Sequence, residues 1–307
     1  MESPLVLLDL DRRSPPPLPA GGIVVAVAAA PVPAEPRCDV LLTAAAEAPR
    51  PWVTCADPWI TAKELAEAVG RQPAAAVALV QVLRMGERLT PPDRLVAESL
   101  AYSMLQSGAG FQRWLATAPR RTARPAQEPV RLERDGERLS ITLSRPWARN
   151  AMDAGTRDAL CEALEVVVAD PSITRVDLYG EGPAFCSGGD LAEFGTSRDP
   201  AHAHRVRVER SPAALLQRCA DRVTAHLHGA CVGAGIELPA FAGTVVAAPD
   251  TAIRLPEVGM GLIPGAGGTA SLPLRIGRER TAYLALSGVT LTADQALGWG
   301  LVDSVTP

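Results

Sequence analysis

The sequence has few aromatic residues, no long apolar run and little net charge. Aromatic side chains make up 4% of the 307 residues and the net charge is −4, so the stacking rings and basic charge of a nucleic-acid surface are both weak. The longest apolar run, Ile23–Ala30, is too short to cross a bilayer. Residues 1–11 lack the basic start and apolar core of an export signal. We therefore expect a globular, cytoplasmic protein with neither a nucleic-acid nor a membrane partner.

The chain also lacks the cysteine and histidine spacings of a metal or redox site. Its six cysteines are scattered, and no two have the spacing of a knuckle or a redox motif, so we expect reduced and mostly buried thiols. His202 and His204 lie close in sequence but have no further ligands at a matching spacing. The sequence therefore predicts neither a metal site nor a redox cofactor.

Hydrophobic patterning divides the chain into three predicted parts, 1–58, 59–124 and 125–307. The first part is rich in Pro and Ala and contains three predicted strands. They are Leu5–Leu10, Ile23–Val27 and Val40–Thr43. A further strand over Pro51–Thr54 would make this part a shrunken remnant of another core, which is the less favoured interpretation of it.

The second part is predicted to be helical. Ala62, Leu65 and Val69 share one face of a first helix that ends at Gly70, and Ala74–Met85 is a second helix. A third helix opens at Pro91–Pro92 and presents one face through Leu95, Ser99, Tyr102 and Leu105, before a last turn at Phe111–Leu115. Residues 116–127 are predicted to be a linker.

The third part alternates strands and helices. Val130–Leu132 and Leu139–Leu143 flank Asp135-Gly136 and predict a hairpin. Beyond it, a helix containing Leu160 and Leu164 is followed by strands at Val176–Leu178, Arg222–His228 and Thr244–Ala248. Such alternation favours an α/β fold with parallel, crossover-type packing.

Two glycine-rich loops follow predicted strands, at 184–191 and at 228–237. Small residues let the backbone turn tightly and approach a ligand closely. Two N–H groups from two such loops can form an oxyanion hole, and the second loop is predicted to open a helix. Taken singly, each loop is better explained as a plain tight turn. A third segment, 255–269, places Glu257 before a long Gly/Pro loop, and three such segments in this order favour a catalytic site.

These segments resemble the enoyl-CoA hydratase/isomerase (crotonase) superfamily, from about Val130 to Val305. The resemblance begins at Ser144–Met152 and continues through three groups of motifs. They are Phe185–Leu191, Gly233–Glu237 with Pro256-Glu257, and Ile263–Thr269 with Ala296–Asp303. The resemblance implies a crotonase-like ββα spiral core and a hydro-lyase of fatty acid metabolism that acts on an acyl-CoA thioester, with no cofactor beyond that substrate.

The family's functional positions map onto residues of this chain. Glu237 and Glu257 match the two catalytic glutamates, with Glu257 as the main acid/base and Glu237 holding the water. The N–H groups of Gly189 and Ala234 match the oxyanion donors, although the family has Gly at the second position. Further substrate-binding positions are implied. They are Ala148, Asn150, Ala151, Ser187, Asp190, Leu191, Gly233 and Gly265.

Several departures from the family pattern bear on specificity. Pro239 follows Glu237 where the family has a helix-compatible residue, which the first helical turn tolerates. Arg254 could select a polar or acidic acyl group, but a solvated strand-end charge is the favoured interpretation. Arg205, Arg207 and Arg210 could contact CoA phosphates, but a charged, solvated helix face is favoured for them. For His228, packing is favoured over catalysis. Each of these alternatives stays open at this point.

The helical part is similar to the run of helices that family members carry after the core. We therefore expect a permuted order in which this helical module precedes the core, with an unrelated appendage as the alternative. The resemblance also implies a homo-trimer or hexamer. Two other functions remain possible: a different crotonase-type reaction, namely isomerisation, decarboxylation, C–C hydrolysis or cofactor-free oxygenation, and a non-catalytic subunit that binds acyl-CoA. Retention of both glutamates favours hydration.

Overall fold

A computed structural model describes residues 4–12, 21–33, 37–119, 122, 124 and 126–306. The predicted linker therefore lies partly outside the described residues. The four segments that open the fold are parallel strands in the sheet order β1-β2-β3-β4. They are β1 (Leu5–Asp9), β2 (Ile23–Val27), β3 (Val40–Thr43) and β4 (Val53–Thr54). The predicted strands of this part are confirmed as strands.

Four helices follow, and their ends are set by the local sequence. They are α1 (Pro58–Arg71), α2 (Pro73–Gly86), α3 (Pro91–Gln106) and α4 (Ala109–Thr117). Asp57 caps α1 by accepting hydrogen bonds from the N–H groups of Trp59 and Ile60, and Thr90 caps α3 through the N–H of Asp93. Each of the first three helices begins with proline, whose missing N–H costs nothing there. The helical prediction for this part is confirmed.

The remaining chain forms a mixed α/β core, as predicted. A six-stranded sheet has the order β13-β10-β8-β7-β6-β5, in which only the β5–β6 hairpin is antiparallel. Its strands are β5 (Val130–Asp135), β6 (Arg138–Leu143), β7 (Arg175–Gly180), β8 (Val223–Leu227), β10 (Thr244–Ala247) and β13 (Ser304–Val305). A second sheet joins β9 (Ala230–Val232), β11 (Ala252–Arg254) and β12 (Thr290–Thr292).

Helices cover these sheets and join them to the helical part. They are α5 (Ala154–Ala169), α6 (Pro200–Glu209), α7 (Pro212–Arg218), α8 (Ala234–Glu237), α9 (Gly268–Ser287) and α10 (Ala293–Trp299). One hydrophobic cluster runs from Leu5 in β1 through the buried face of α2 to Val302 near the end of the chain. Helix α2 packs on both α3 and α9. The helical part therefore shares its core with the α/β part.

Buried ion pairs tie the first sheet to α9. Asp39 is almost fully buried and bonds the guanidinium groups of both Arg84 in α2 and Arg278 in α9. Arg280 donates to the carbonyl oxygens of Trp52 and Ala48. Separating the first sheet from α2 and α9 would leave Asp39 as an unpaired buried charge, which is costly. These contacts therefore help to fix the position of the sheet relative to the two helices.

Five of the six cysteines are buried, as the sequence predicted. Among the described residues, no group of three or more His, Cys, Asp or Glu is arranged to hold a metal ion. Within this described part of the chain, no helix is both long enough and apolar enough to cross a membrane.

Candidate active site

Two loops of the core meet where the sequence predicts an oxyanion hole. Cys186 pairs with Cys231 in an isolated parallel bridge, and the carbonyl oxygen of Cys186 accepts the N–H of Val232 at 3.0 Å. A Cβ on Gly188, whose φ is +91°, would lie 2.9 Å from the carbonyl oxygen of Val232, so this position requires glycine. The loops at 186–189 and 230–235 are therefore in direct contact.

The predicted oxyanion donors, Gly189 and Ala234, lie on these two loops. Within the described part of the chain, neither backbone N–H donates a hydrogen bond. Ala234 is 6% exposed. Gly189 is exposed, so solvent can satisfy its N–H. Buried N–H groups are rarely left without an acceptor, so the free N–H of Ala234 favours a ligand oxygen as its missing partner.

Glu237 is held by the loop that precedes α9. Its Oε2 accepts the N–H of Ala266 at 2.7 Å and the N–H of Gly268 at 2.9 Å. The side chain is almost fully buried. Helix α8, which carries it, is a single turn, because Pro239 begins a separate 3₁₀ turn over Pro239–Phe241. The predicted helix is thus real but short, and its dipole adds little to the oxyanion donors.

Glu257 stands at the start of a 3₁₀ turn, Glu257–Met260, directly after β11. Its Oε2 is buried and has no hydrogen-bond partner among the described residues. A Cβ on Gly233 would collide with Oε1 of Glu257 and would stand 3.6 Å from Oε1 of Glu237. The two carboxyl groups therefore converge on Gly233, beside the free N–H of Ala234.

Burial controls how this carboxyl pair ionises. Desolvation raises the pKa of Glu257 to about 8. Desolvation also raises the pKa of Glu237 well above its usual value, and repulsion from Glu257 adds to the shift. The pair thus holds at least one proton at neutral pH. The two N–H groups on Oε2 stabilise an anion on Glu237, which favours the proton on Glu257.

A third buried glutamate comes from the helical part and was not predicted as a site residue. Glu98 in α3 accepts the N–H of Gly267 on Oε1 at 2.7 Å, and on Oε2 the N–H and hydroxyl of Thr269 at 2.8 and 2.7 Å. Burial raises its pKa to about 7. Successive N–H groups of the 266–269 loop thus alternate between Glu237 and Glu98, so α3 and the core hold this loop together.

Tyr102, one turn further along α3, faces the same site. Its ring packs on Gly265, where a Cβ would stand only 2.5 Å from two ring carbons. Burial raises the pKa of the Tyr102 hydroxyl, and the carboxyl groups of Glu257 and Glu237 raise it further. In the described structure this hydroxyl makes no hydrogen bond, so it is free to contact a ligand.

A cavity of about 580 Å³ has Gly189 in its wall. Most of the predicted substrate-binding residues line it. They are Ala148, Ala151, Ser187, Asp190 and Leu191. Trp147, Arg149 and Arg124 line it too, and the Arg124 guanidinium lies 5.5 Å from the centre of the Trp147 ring. Arg124 was not predicted, since nothing in the linker sequence indicates that it folds back onto the core.

Asn150 does not line this cavity. Its side chain is fully buried, its Oδ1 accepts the N–H of Arg145, and its Nδ2 donates to the carbonyl oxygens of Glu181 and Ala184. Asn150 therefore shapes the cavity wall from behind. Asp190 lies at the cavity edge, where its carboxylate pairs with the buried Arg145 at 3.0 Å.

Several other candidate residues make no hydrogen bond to the carboxyl pair in the described structure. Arg254 is exposed, and its Nε donates to the carbonyl oxygen of Gly288 at 2.8 Å, which matches the strand-end alternative. Its charge is still near enough to lower the pKa of Glu257, although burial of Glu257 has the larger, opposite effect. His228 bonds the carbonyl oxygen of Gly182. His204 bonds Ser99 Oγ, and His202 lies exposed on α6.

Comparison with known proteins gives one family. The sequence profile described as enoyl-CoA hydratase/isomerase matches residues 135–307. The chain is 36% identical over 169 residues to the 2,3-dehydroadipyl-CoA hydratase of Escherichia coli (strain K12), covering 55% of this chain and 66% of that protein. It is 33% identical over 177 residues to the mevalonyl-coenzyme A hydratase SIDH of Beauveria bassiana, covering 55% and 63%. The match thus spans slightly less than two thirds of each relative.

The fold comparison agrees. The structure of an enoyl-CoA hydratase from Thermoplasma volcanium GSS1 superposes with a TM-score of 0.54 at 34% sequence identity, covering 58% of this chain and 71% of that one. A structure described as a putative enoyl-CoA hydratase/isomerase from Mycobacterium abscessus gives a TM-score of 0.55, also at 34% identity.

Proposed function

The chain belongs to the enoyl-CoA hydratase/isomerase family, and we propose that it adds water to the double bond of a 2-enoyl thioester of coenzyme A. The observation that carries this proposal is the convergence of the Glu237 and Glu257 carboxyl groups beside the free N–H of Ala234. Hydration needs an acid, a base and a site for the developing oxyanion, and these groups can supply all three.

In the proposed reaction the thioester oxygen accepts the N–H groups of Gly189 and Ala234. The oxygen of a water molecule, oriented by Glu237, attacks the β-carbon while Glu237 takes one of its protons. The π electrons of the double bond move toward the α-carbon and the thioester oxygen, which becomes enolate-like. Glu257 then delivers its proton to the α-carbon. Return of a proton from Glu237 to Glu257 through solvent resets the pair.

The distribution of hydrogen bonds supports these roles. Oε2 of Glu237 is fixed by two backbone donors, which leaves Oε1 to orient water. Oε2 of Glu257 has no partner among the described residues, so its proton is not committed elsewhere. The reaction is redox neutral, and backbone N–H groups polarise the carbonyl. The proposal therefore requires no cofactor beyond the thioester substrate.

We further propose that the 580 Å³ cavity holds the coenzyme A moiety, since it adjoins Gly189 and is lined by Arg124, Arg149 and Trp147. Helices α1–α4 are proposed to take the place of the helices that family members carry after the core. The contacts of Glu98 and Tyr102 with the 265–269 loop support that placement. A homo-trimer or hexamer stays a prediction.

Turnover of purified protein with crotonyl-CoA and longer 2-enoyl-CoA thioesters tests the function. The expected result is loss of the conjugated thioester's ultraviolet absorbance, with a 3-hydroxyacyl-CoA identified by mass spectrometry. Glu237→Gln and Glu257→Gln serve as matched variants of nearly equal size. Binding of these thioesters without any hydration, or full activity in Glu257→Gln, would contradict the proposal.

A further inference from the structure

A second cavity, of about 280 Å³, lies between α3, α6 and α7. Its walls include Gly265, Ala266 and Gly267, the loop that holds Glu237. Met152 also lines it and pairs in a β-bridge with Gly189. A thioester whose carbonyl lies between Gly189 and Ala234 therefore has this cavity within reach of its acyl chain.

The lining is mostly apolar, but it also includes the carboxyl group of Glu98 and three arginines, Arg157, Arg207 and Arg210. Arg207 is held in place by neutral groups only. Its Nε donates to Ser99 Oγ at 3.1 Å, its Nη1 to Gln106 Oε1 at 3.1 Å, and its Nη2 to the Ser99 carbonyl oxygen and to Ser103 Oγ. The guanidinium also lies over the Tyr102 ring, 4.7 Å from its centre. Each of these contacts fixes the side chain without balancing its charge.

Arg207 differs in this respect from its neighbours on the same segment. Arg205 pairs with Glu209 at 3.7 Å. The other two arginines of the cavity lining, Arg157 and Arg210, both pair with Asp158, at 2.9 and 3.3 Å. In the described part of the chain, Arg207 has no carboxylate within ion-pair distance. Burial lowers the pKa of Arg207, which shows the desolvation cost of placing this charge here.

Glu98 is the carboxyl group that interacts with Arg207 over a longer distance. It does not satisfy the cation, because both of its oxygens are bonded to Gly267 and Thr269. The four donations by Arg207 leave one N–H of its Nη1 unused. A carboxylate inside the cavity would supply both the missing charge and the missing acceptor.

We propose that this cavity binds the distal end of the acyl chain and that Arg207 selects an anionic end, so that the substrates are thioesters of dicarboxylic acids. This inference rests on the proposed function for the position of the thioester. It deepens that function by naming the substrate class. The sequence suggested Arg254 as the residue that selects acidic acyl groups. The structure favours Arg207 for this role, because Arg207 lines a cavity beside the site.

Binding of unreactive thioesters tests the inference apart from catalysis. Hexanedioyl-CoA and hexanoyl-CoA have acyl chains of equal length and differ at the distal carboxylate. Isothermal titration of both into the full chain is expected to show that hexanedioyl-CoA binds about tenfold more tightly or better. Arg207→Gln is expected to remove this preference while changing hexanoyl-CoA affinity less than about threefold.

Two further variants separate charge from packing. Arg205→Gln, on the exposed face of the same helix, is expected to keep the preference. Arg207→Lys keeps a cation and is expected to retain part of the preference for hexanedioyl-CoA. If Arg207 had only a structural role, Arg207→Lys and Arg207→Gln would each weaken the binding of both thioesters by the same factor. Equal affinity of the wild type for the two thioesters, or an unchanged preference in Arg207→Gln, would overturn the inference. Preferential binding without hydration of the matching enoyl thioesters would overturn only the proposed function.

Discussion

Replacement of Ala234 by proline removes one proposed oxyanion donor without removing a side chain that does chemistry. Ala234 is the first residue of α8, a position where proline is well suited because the N–H there has no helical acceptor. In the described structure this N–H makes no hydrogen bond. The substitution therefore breaks no observed bond of the folded protein, and we expect its unfolding free energy to change little.

The expected effect on catalysis is large. Loss of one oxyanion donor costs about 2.7–4 kcal/mol of transition-state stabilisation, which corresponds to about 10²–10³ in kcat. The proline ring would also place a carbon where the thioester oxygen is proposed to lie, so binding of substrate should weaken as well. Both effects arise only if the oxygen occupies that position.

The assay is hydration of a 2-enoyl-CoA, with thermal melting as a check on folding. Ala234→Gly is the matched control, because it keeps the N–H and should retain activity within about threefold of the wild type. A folded Ala234→Pro variant with comparable activity would refute the assignment of Ala234 as a donor. Equal loss in Ala234→Gly would show that the loop conformation, and not the N–H, is what matters.

Three other perturbations probe the carboxyl groups and the coenzyme A cavity. Glu257→Gln should lower kcat by about 10²–10⁴. In the proposed reaction Glu257 is the acid, and burial raises its pKa to about 8, so wild-type kcat/KM should fall as the pH rises through about 8. A kcat/KM that rises with pH there would assign Glu257 as the base. Burial raises the pKa of Glu98 from 4.5 to about 7, so the folded protein favours the protonated form. The unfolding free energy of the wild type, measured relative to Glu98→Gln by denaturant titration, should therefore decrease by about 3 kcal/mol from below pH 4.5 to above pH 7. An increase over that range would mean that the folded protein favours the carboxylate. Trp147→Ala should raise the KM for a coenzyme A thioester about fivefold or more and leave the KM for the matching pantetheine thioester unchanged, because only coenzyme A carries an adenine base that can stack on Trp147. An equal rise in both KM values would place the nucleotide elsewhere.

Much of the fold follows from local pattern. Helix α2 was predicted over Ala74–Met85 and is observed over Pro73–Gly86, and strands β2 and β3 have the predicted bounds. Periodicity and proline positions specify such elements without tertiary information. The three-stranded sheet of β9, β11 and β12 was not predicted, because strands of three residues are too short to show a period and exist only through their pairing.

The site was predictable where it depends on motifs and not where it depends on packing. Glu237 and Glu257 lie in segments whose glycines indicate a close approach, and the structure brings these two side chains together. Glu98 carries no such signal. It lies within a helix, and only the folded chain shows that its carboxylate meets the N–H groups of Gly267 and Thr269.

Helix α3 carries an apolar stripe that does not face the core. Val96, Leu100 and Met104 form an apolar stripe at a spacing of four residues, yet their side chains are 39%, 55% and 60% exposed. The polar residues Glu98 and Ser103 are buried instead. Burying polar groups is costly unless they are bonded, so a helix that turns its polar face inward indicates a polar site beneath it.

That inward polar face makes the helical part a component of the proposed site. The N–H groups of Ala266 and Gly268 hold Glu237, while the intervening N–H of Gly267 holds Glu98. Because these donors belong to one short stretch of backbone, a shift of α3 would move the loop and with it the carboxylate of Glu237. The position of the Glu237 carboxylate is therefore set jointly by the core and by a helix that precedes it in the chain, which supports the proposal that α1–α4 complete the site.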